Sequence, residues 1–371
     1  MVSTAPRFLF IPVSGPGGAG EYFRSLAIAR GLERRWPGCR IRFVLDRSAS
    51  YARTAPYEVL PLDDSPTRSS ARVIEYIRSE QPDVAVFDSS GRAAQYRAAS
   101  ASGARVVFVS SRPTSRWKGF RLGRMRLLDQ HWIAQPRFLD GGLTRYERLK
   151  LRLLGRPEVV WFDAMHEPID VPATTALQSR LGLQPGHYVA MCPGGGGNFG
   201  HAIDANQVFV EAAERLVHSE QMPVVVVLGA ASADVAPAAP AGGGVRTVGA
   251  LPNGQLLGLL RDAAVVAVNG GSLLVQCMAQ ALPIVAAPIA GDQARRIRGC
   301  ADYIVETTLD AEAMAAAVAG LLHDPAARER LRLRLVELGL RNGVDVVTDA
   351  VARLLDGRAM RAVPDPAAAS Q

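Results

Sequence analysis

The sequence predicts an α/β protein built from two doubly wound domains, and three observations predict it. Short apolar runs that read as strands alternate with helical stretches along almost all of the 371 residues. That is the pattern of a parallel sheet covered by helices on both faces. The alternation breaks at MHEPIDVPATT, residues 165–175, where Pro168 and Pro172 interrupt any periodicity. It then restarts with a strand followed directly by its own glycine cluster.

The first series begins with FLFIPV and a helix from about Glu21 to Arg35, then the strands RIRFVLD and YEVLPL. A helix over 67–80 leads to DVAVFDSS, another over 91–101 leads to ARVVFVSS, and QHWIAQ and EVVWFD follow as later strands. The second series runs HYVAMC, a helix from about Asp204 to His218, PVVVVLG, RTVGAL, AAVVAVNG, PIVAAPI and DYIVE. PAAPAGGG, 237–244, reads as a surface loop, EAMAAAVAGLL and RERLRLRLVELGL as helices, and AVPDPAAASQ as a tail. The expected organisation is therefore a domain over 1–165, a linker over 166–176, a domain over 177–355 and a tail over 356–371. Ligand is expected in the cleft between the domains, at the C-terminal ends of the strands.

Composition narrows the class. A hydrophobic fraction of 48% with 21% charged residues supplies a core without staples, as in an ordinary soluble protein. The longest apolar runs fall short of the roughly 20 residues of a membrane span, and FLFIPV is too short for a signal peptide. A cytoplasmic location is expected. Cys39, Cys192, Cys277 and Cys300 show no C-x-x-C pairing, so they read as reduced thiols rather than zinc ligands or disulfides. The net charge is +7, yet residues 112–156 alone carry ten arginines and two lysines against Asp129, Asp140 and Glu147, a local excess of +9. Trp117, Phe120, Leu122, Met125, Leu127 and Leu128 are interleaved with it. The segment reads either as a patch for an anionic membrane or as a solvated basic face with its apolar residues turned inward. No nucleic-acid-binding motif accompanies it.

Three glycine-containing turns carry the chemistry. Gly15, Gly17 and Gly20 match the G-x-G-x-x-G spacing of a dinucleotide loop. Glu21 follows at the helix start, however, where the helix dipole would otherwise attract phosphate. The second turn, PGGGGNFG over 193–200, removes side chains at Gly194, Gly195, Gly196 and Gly197 and places Asn198 beside them. No acid follows until Asp204, so this loop suits a phosphate. The third is Asn269-Gly270-Gly271-Ser272, a strand end opening into a helix, where the Gly270 and Gly271 N–H groups are expected to form a second anion cradle. Gln276 lies one helical turn beyond Ser272, on a face able to meet a sugar or ribose, and Asp292 and Gln293 follow the next strand.

These residues resemble a known family. CPGGGG, VGALPNGQLL, NGGS and GDQ are similar to the donor-binding motifs of GT-B glycosyltransferases, and GGAGEYFRS is similar to their N-terminal signature. The closest resemblance is to the family-28 branch that includes the lipid-linked N-acetylglucosaminyltransferase of peptidoglycan synthesis. It implies a GT-B fold, two Rossmann-like domains facing a central cleft, with a nucleotide-diphosphate sugar as co-substrate. It also implies inverting transfer to an acceptor hydroxyl, in cell-envelope or polysaccharide biosynthesis, at the inner face of the cell membrane. Gly17, Gly18 and Gly20 would then face the acceptor, and main chain near Ala250 and Leu251 would recognise the base. Three positions depart from the pattern. Gln276 replaces the family's ribose-binding acid, which leaves uridine, thymidine, guanosine and adenosine nucleotides open. Glu21 replaces the N-terminal histidine, and Asn269 the histidine of the H-G-G turn.

Transfer needs a stabilised leaving diphosphate, a deprotonated acceptor and exclusion of water. No D-x-D pair occurs, so no metal is expected, and the glycine loops with Arg295 or Arg296 would stabilise the diphosphate. Glu21 and Asp88 are the two candidate bases; Asp88 reads equally as a helix cap. Two other enzyme classes fit parts of the chain. A nucleotide-sugar epimerase or hydrolase would share the fold, and an NAD(P)-dependent oxidoreductase would use the first glycine loop with Asp46 on the ribose. A sugar-binding subunit without activity would account for the replaced His and Glu positions.

Overall fold

Five of the six residues of RFLFIP are buried, as expected only of a strand covered on both faces. This strand, β1 (Arg7–Pro12), centres the first sheet of the computed structural model, which describes residues 5–15, 19–194, 204–229 and 244–361. After it come α1 (Gly20–Arg35), β2 (Arg40–Asp46), β3 (Glu58–Leu62), α2 (Ser70–Glu80), β4 (Val84–Asp88), α3 (Ala93–Ala101) and β5 (Arg105–Ser110). The short helices α4 (Pro113–Gly119) and α5 (Leu122–Met125) precede β6 (Gln130–Ala134), and α6 (Arg137–Asp140) and α7 (Arg145–Leu154) precede β7 (Glu158–Phe162). All strands are parallel in the order β3-β2-β1-β4-β5-β6-β7, with Pro12 opposite Asp88 where the order reverses. Alternate residues feed opposite faces: Phe8 and Phe10 pack with Ile28 and Leu32, whereas Leu9 and Ile11 pack with Phe87 and Tyr96.

The second unit contains α8 (Val171–Leu181), β8 (Val189–Cys192), α9 (Ala205–Glu220), β9 (Val224–Val227), β10 (Arg246–Val248), α10 (Asn253–Arg261) and β11 (Val265–Asn269). It continues with α11 (Ser272–Ala279), β12 (Ile284–Ala287), α12 (Gly291–Gly299), β13 (Val305–Glu306), α13 (Ala311–His323) and α14 (Pro325–Leu338). Its parallel order, β10-β9-β8-β11-β12-β13, repeats the doubly wound pattern of the first. The four cysteines are free thiols, and Cys192, Cys277 and Cys300 are buried.

Two expected boundaries are corrected. Residues 166–176 are not an unstructured linker, because α8 begins inside them: Asp170 accepts a hydrogen bond from Ala173 N at 3.0 Å and Pro172 sits in the first turn. The proline that looked like a break is a helix start. The second domain also does not run to 355. The first unit comprises the residues up to Met165 together with those from Asn342 on, and the second is His166–Arg341. The last helix, α15 (Gly343–Arg361), buries Val344, Val347, Ala350 and Val351 in the core of the first unit. It lies so close to α1 that a Cβ at Gly31 would overlap Val344. Residues 356–361, expected in the tail, are its last turns.

The first unit also buries a histidine. The His131 ring lies between Phe108 and Phe120, its Nε2 is 2.8 Å from Ser110 Oγ, and a Cβ at Gly119 would overlap it. Burial, reinforced by the charges of Arg116 and Arg124, lowers its pKa from 6.5 to about 3. The folded chain therefore holds the ring neutral while the unfolded chain protonates it, so this stabilisation is complete above pH 6.5 and is lost as pH falls toward 3. The loss between pH 7 and pH 5 is expected to be about 2 kcal/mol. Urea denaturation of the wild type and His131→Asn at both pH values checks this. Equal pH dependence in the two proteins would refute it.

Candidate functional site

The end of β4 and the first turn of α1 bring charged groups together in the first unit. Arg24 donates from Nε to Asp88 Oδ2 at 2.8 Å and from Nη2 to Oδ1 at 2.5 Å. Asp88 is fully buried, and Ser25 Oγ lies 3.4 Å from Oδ2. Burial pushes the Asp88 carboxyl up to about 6 and nearby Glu21 pushes the same way, while Arg24 opposes them and keeps it ionised at neutral pH. Glu21, half-buried in the first turn of α1, lies within the electrostatic reach of Arg24, Asp88 and Tyr51. The Tyr51 ring stacks on Tyr22 at 4.4 Å. The two sequence-predicted bases thus share one cluster, but with different surroundings: Asp88 is enclosed by Arg24, and Glu21 is partly open to solvent.

The dinucleotide reading of the first loop loses its two structural requirements. The third glycine of that fingerprint permits close helix–strand packing, yet a Cβ at Gly20 would meet nothing within 4 Å. The acid expected on the ribose, Asp46, is buried and accepts from Ser48 N at 2.8 Å and Ser48 Oγ at 2.6 Å. Gly17 and Gly18 lie outside the described residues.

In the second unit the corresponding strand ends are those of β8 and β11. Asn269 ties them together, donating from Nδ2 to Pro193 O at 2.6 Å and accepting from Gly271 N at 2.9 Å. Gly194 adopts φ +92°, and a Cβ there would overlap Asn269 Nδ2, so glycine is required for both conformation and space. One expectation is corrected here. The Gly271 N–H is taken by Asn269 and is not available to an anion. Gly270 is a packing glycine, since a Cβ would come 2.8 Å from Gln293 Cβ and 2.9 Å from Ile297 Cδ1. Arg296 donates to Gly270 O at 2.8 Å, and Gln293 Oε1 accepts from Ile289 N at 2.9 Å. The first bond braces the turn, and the second the loop between β12 and α12. What remains for an anion is the first turn of α11, which no side chain caps and which opens with exposed Ser272.

Gln276, half-buried on α11, accepts from Asn253 Nδ2 at 3.2 Å, and Asn253 Oδ1 accepts from Glu167 N at 2.9 Å. Ala250 is exposed and Leu251 half-buried in the loop between β10 and α10, ahead of Asn253. Gly195, Gly196, Gly197 and Asn198 lie outside the described residues, as does the side chain of Asp292. Sequence reasoning missed Arg24 and Asn253. Arg24 was findable, standing three residues after Glu21 on the same helix face; Asn253 carries no comparable signal. Among the described residues, no three His, Cys, Asp or Glu side chains are grouped to hold a metal ion.

No model of a protein family matches the chain, and no curated protein matches it in sequence. Solved structures match it in fold. UGT89C1 of Arabidopsis thaliana complexed with UDP is similar with a TM-score of 0.63 and 14% identity, over 95% of this chain and 100% of its own. The spinosyn rhamnosyltransferase SpnG complexed with thymidine diphosphate gives 0.60 and 14%, over 93% and 99%. A putative UDP-N-acetylglucosamine 2-epimerase from Listeria monocytogenes gives 0.57 and 12%, over 94% and 95%. With its two Rossmann-like parallel sheets, the chain has the GT-B fold.

Proposed function

We propose that the chain is a glycosyltransferase that moves a sugar from a nucleoside-diphosphate donor to an acceptor hydroxyl. The observation that carries the proposal is the β8–β11 strand-end turn, where Asn269 and Arg296 hold a glycine-lined bend beside the uncapped start of α11. That arrangement suits a diphosphate, and the GT-B fold is one that the UDP-bound and thymidine diphosphate-bound structures share. Donor binding is assigned to the second unit and acceptor activation to the first. In one in-line displacement the acceptor oxygen bonds to the anomeric carbon as the carbon–oxygen bond to the diphosphate breaks, inverting that carbon. Glu21 takes the hydroxyl proton, and the diphosphate leaves against backbone N–H groups and the α11 dipole, with no metal required. Asp88 acts by holding Arg24 beside Glu21. The motifs CPGGGG, VGALPNGQLL, NGGS and GDQ favour a family-28-like enzyme, and the basic, aromatic segment over 112–156 favours a lipid-linked acceptor at the inner face of the cell membrane.

A thermal-shift series with UDP, dTDP, GDP and ADP tests donor binding. At least one is expected to raise the melting temperature, and a chain that responds to none of them is not a transferase of this kind. Gly194→Ala is expected to weaken that nucleotide by about tenfold or more, because the forced φ and the displaced Asn269 open the turn; titration calorimetry measures it. The epimerase neighbour gives a second reading its footing. Conversion of a nucleotide sugar without any acceptor would select that reading.

A further inference from the structure

Among the described residues, six of the large apolar side chains most exposed to solvent fall between 117 and 153: Trp117, Leu122, Phe138, Tyr146, Leu149 and Leu153. Three of them form a stripe on α7, where Tyr146, Leu149 and Leu153 are 64%, 51% and 75% exposed at helical spacing. The opposite side of α7 is already used. Leu151 and Leu154 pack against Phe120, Met125 and Ile133, and Glu147 caps the helix through Thr144. The stripe therefore looks outward with no core left to cover it.

The charges are sorted in the same sense. All three acids of the segment face inward: Asp140 and Glu147 bind the buried guanidinium of Arg116, and Asp129 binds Arg105 and Arg156. Arg145, Arg148 and Arg152 are exposed and have no ion-pair partner among the described residues. By helix geometry they lie along one flank of the apolar stripe and Lys150 along the other. Arg116 ties α4 to α6 and α7, and Lys150 Nζ donates to Phe120 O at 3.0 Å, so the short helices that carry the exposed Trp117 and Phe138 are held against α7. A helix with an outward apolar ridge and basic flanks matches a bilayer interface, with leucines below the headgroups and guanidinium groups among anionic phosphates. No described helix is long and apolar enough to cross a membrane, so the contact would be peripheral.

We infer that α7, with the neighbouring ends of α4 and α6, seats the chain on an anionic lipid bilayer. This deepens the reading of a membrane-associated acceptor and rests on it. The test sediments the full chain with vesicles of phosphatidylcholine alone or mixed with phosphatidylglycerol. The wild type is expected to pellet with the mixed vesicles only, and to be released as sodium chloride rises to about 0.5 M. The double variant Leu149→Ser, Leu153→Ser is expected to bind at least about tenfold more weakly while keeping its nucleotide thermal shift. A wild type that stays in the supernatant, or a double variant that binds as tightly, overturns the inference. So does a wild type that ignores vesicles but forms a dimer that the double variant breaks. A nucleotide shift without vesicle binding removes only the lipid contact, whereas vesicle binding without any nucleotide shift removes only the transferase reading.

Discussion

Glu21→Gln is expected to lower sugar transfer by about a hundredfold to ten-thousandfold, the usual contribution of a positioned general base. Nucleotide binding should be unchanged, because the elements proposed to hold the donor belong to the other unit. The substitution keeps the size of the side chain and its place in the first turn of α1, and removes only the carboxylate. Steady-state kinetics beside a nucleotide thermal shift separates the two effects. A variant with full kcat would show that Glu21 is not the base. A loss confined to stability would mean that it serves only the helix dipole, which is worth about 0.3–1 kcal/mol.

Arg24→Ala should be the most destabilising single change in this cluster, at about 3–5 kcal/mol near pH 7.5, since it leaves the enclosed Asp88 carboxylate without its cation. The sign of the pH dependence follows from the same pair. Asp88 is already raised to about 6 with Arg24 present, and losing the guanidinium raises it further. The variant therefore gains protons at higher pH than the wild type does. Its deficit shrinks as the solution is acidified through that range and the carboxyl becomes neutral. Urea denaturation at pH 7.5 and 5.5 measures both. A deficit below about 1 kcal/mol at pH 7.5 would place the pair with surface ion pairs, whose contribution is small.

The strand–helix alternation made both sheets legible in the sequence, because buried parallel strands such as RFLFIP and VVAVN are continuous apolar runs bounded by turns. What it could not show was ownership. The apolar residues of GVDVVTDAVARLL mark a buried face on α15, but periodicity says nothing about which sheet that face meets, and the helix joins the first unit. The prolines of 165–175 misled because proline favours a first helical turn as readily as it breaks a later one. The site was legible by position but not by role. Asn269, Gly270 and Gly271 stand where a glycine turn should, yet the Asn269 amide takes up the Gly271 N–H and binds the Pro193 carbonyl at the end of the neighbouring strand. Hydrogen bonds spanning 76 residues, such as that from Asn269 to Pro193, leave no local trace in a sequence.

The return of the last helix has a further consequence. Gly343 N donates to Ala164 O at 2.6 Å, and Ala164 and Asn342 form a bridge. The chain thus leaves the first unit and re-enters it at one spot. In terms of connectivity the second unit is a cassette spliced into the first, with both splice points side by side. A fragment ending at 165 would lack the helix that fills its own core, whereas 166–341 can be lifted out as one uninterrupted piece. Exchange of the second unit with that of another GT-B protein therefore calls for two junctions, one on each side of the Ala164–Asn342 bridge. A single crossover in the proline-rich stretch would graft a foreign helix onto α1, where Gly31 leaves room for Val344 and for little else.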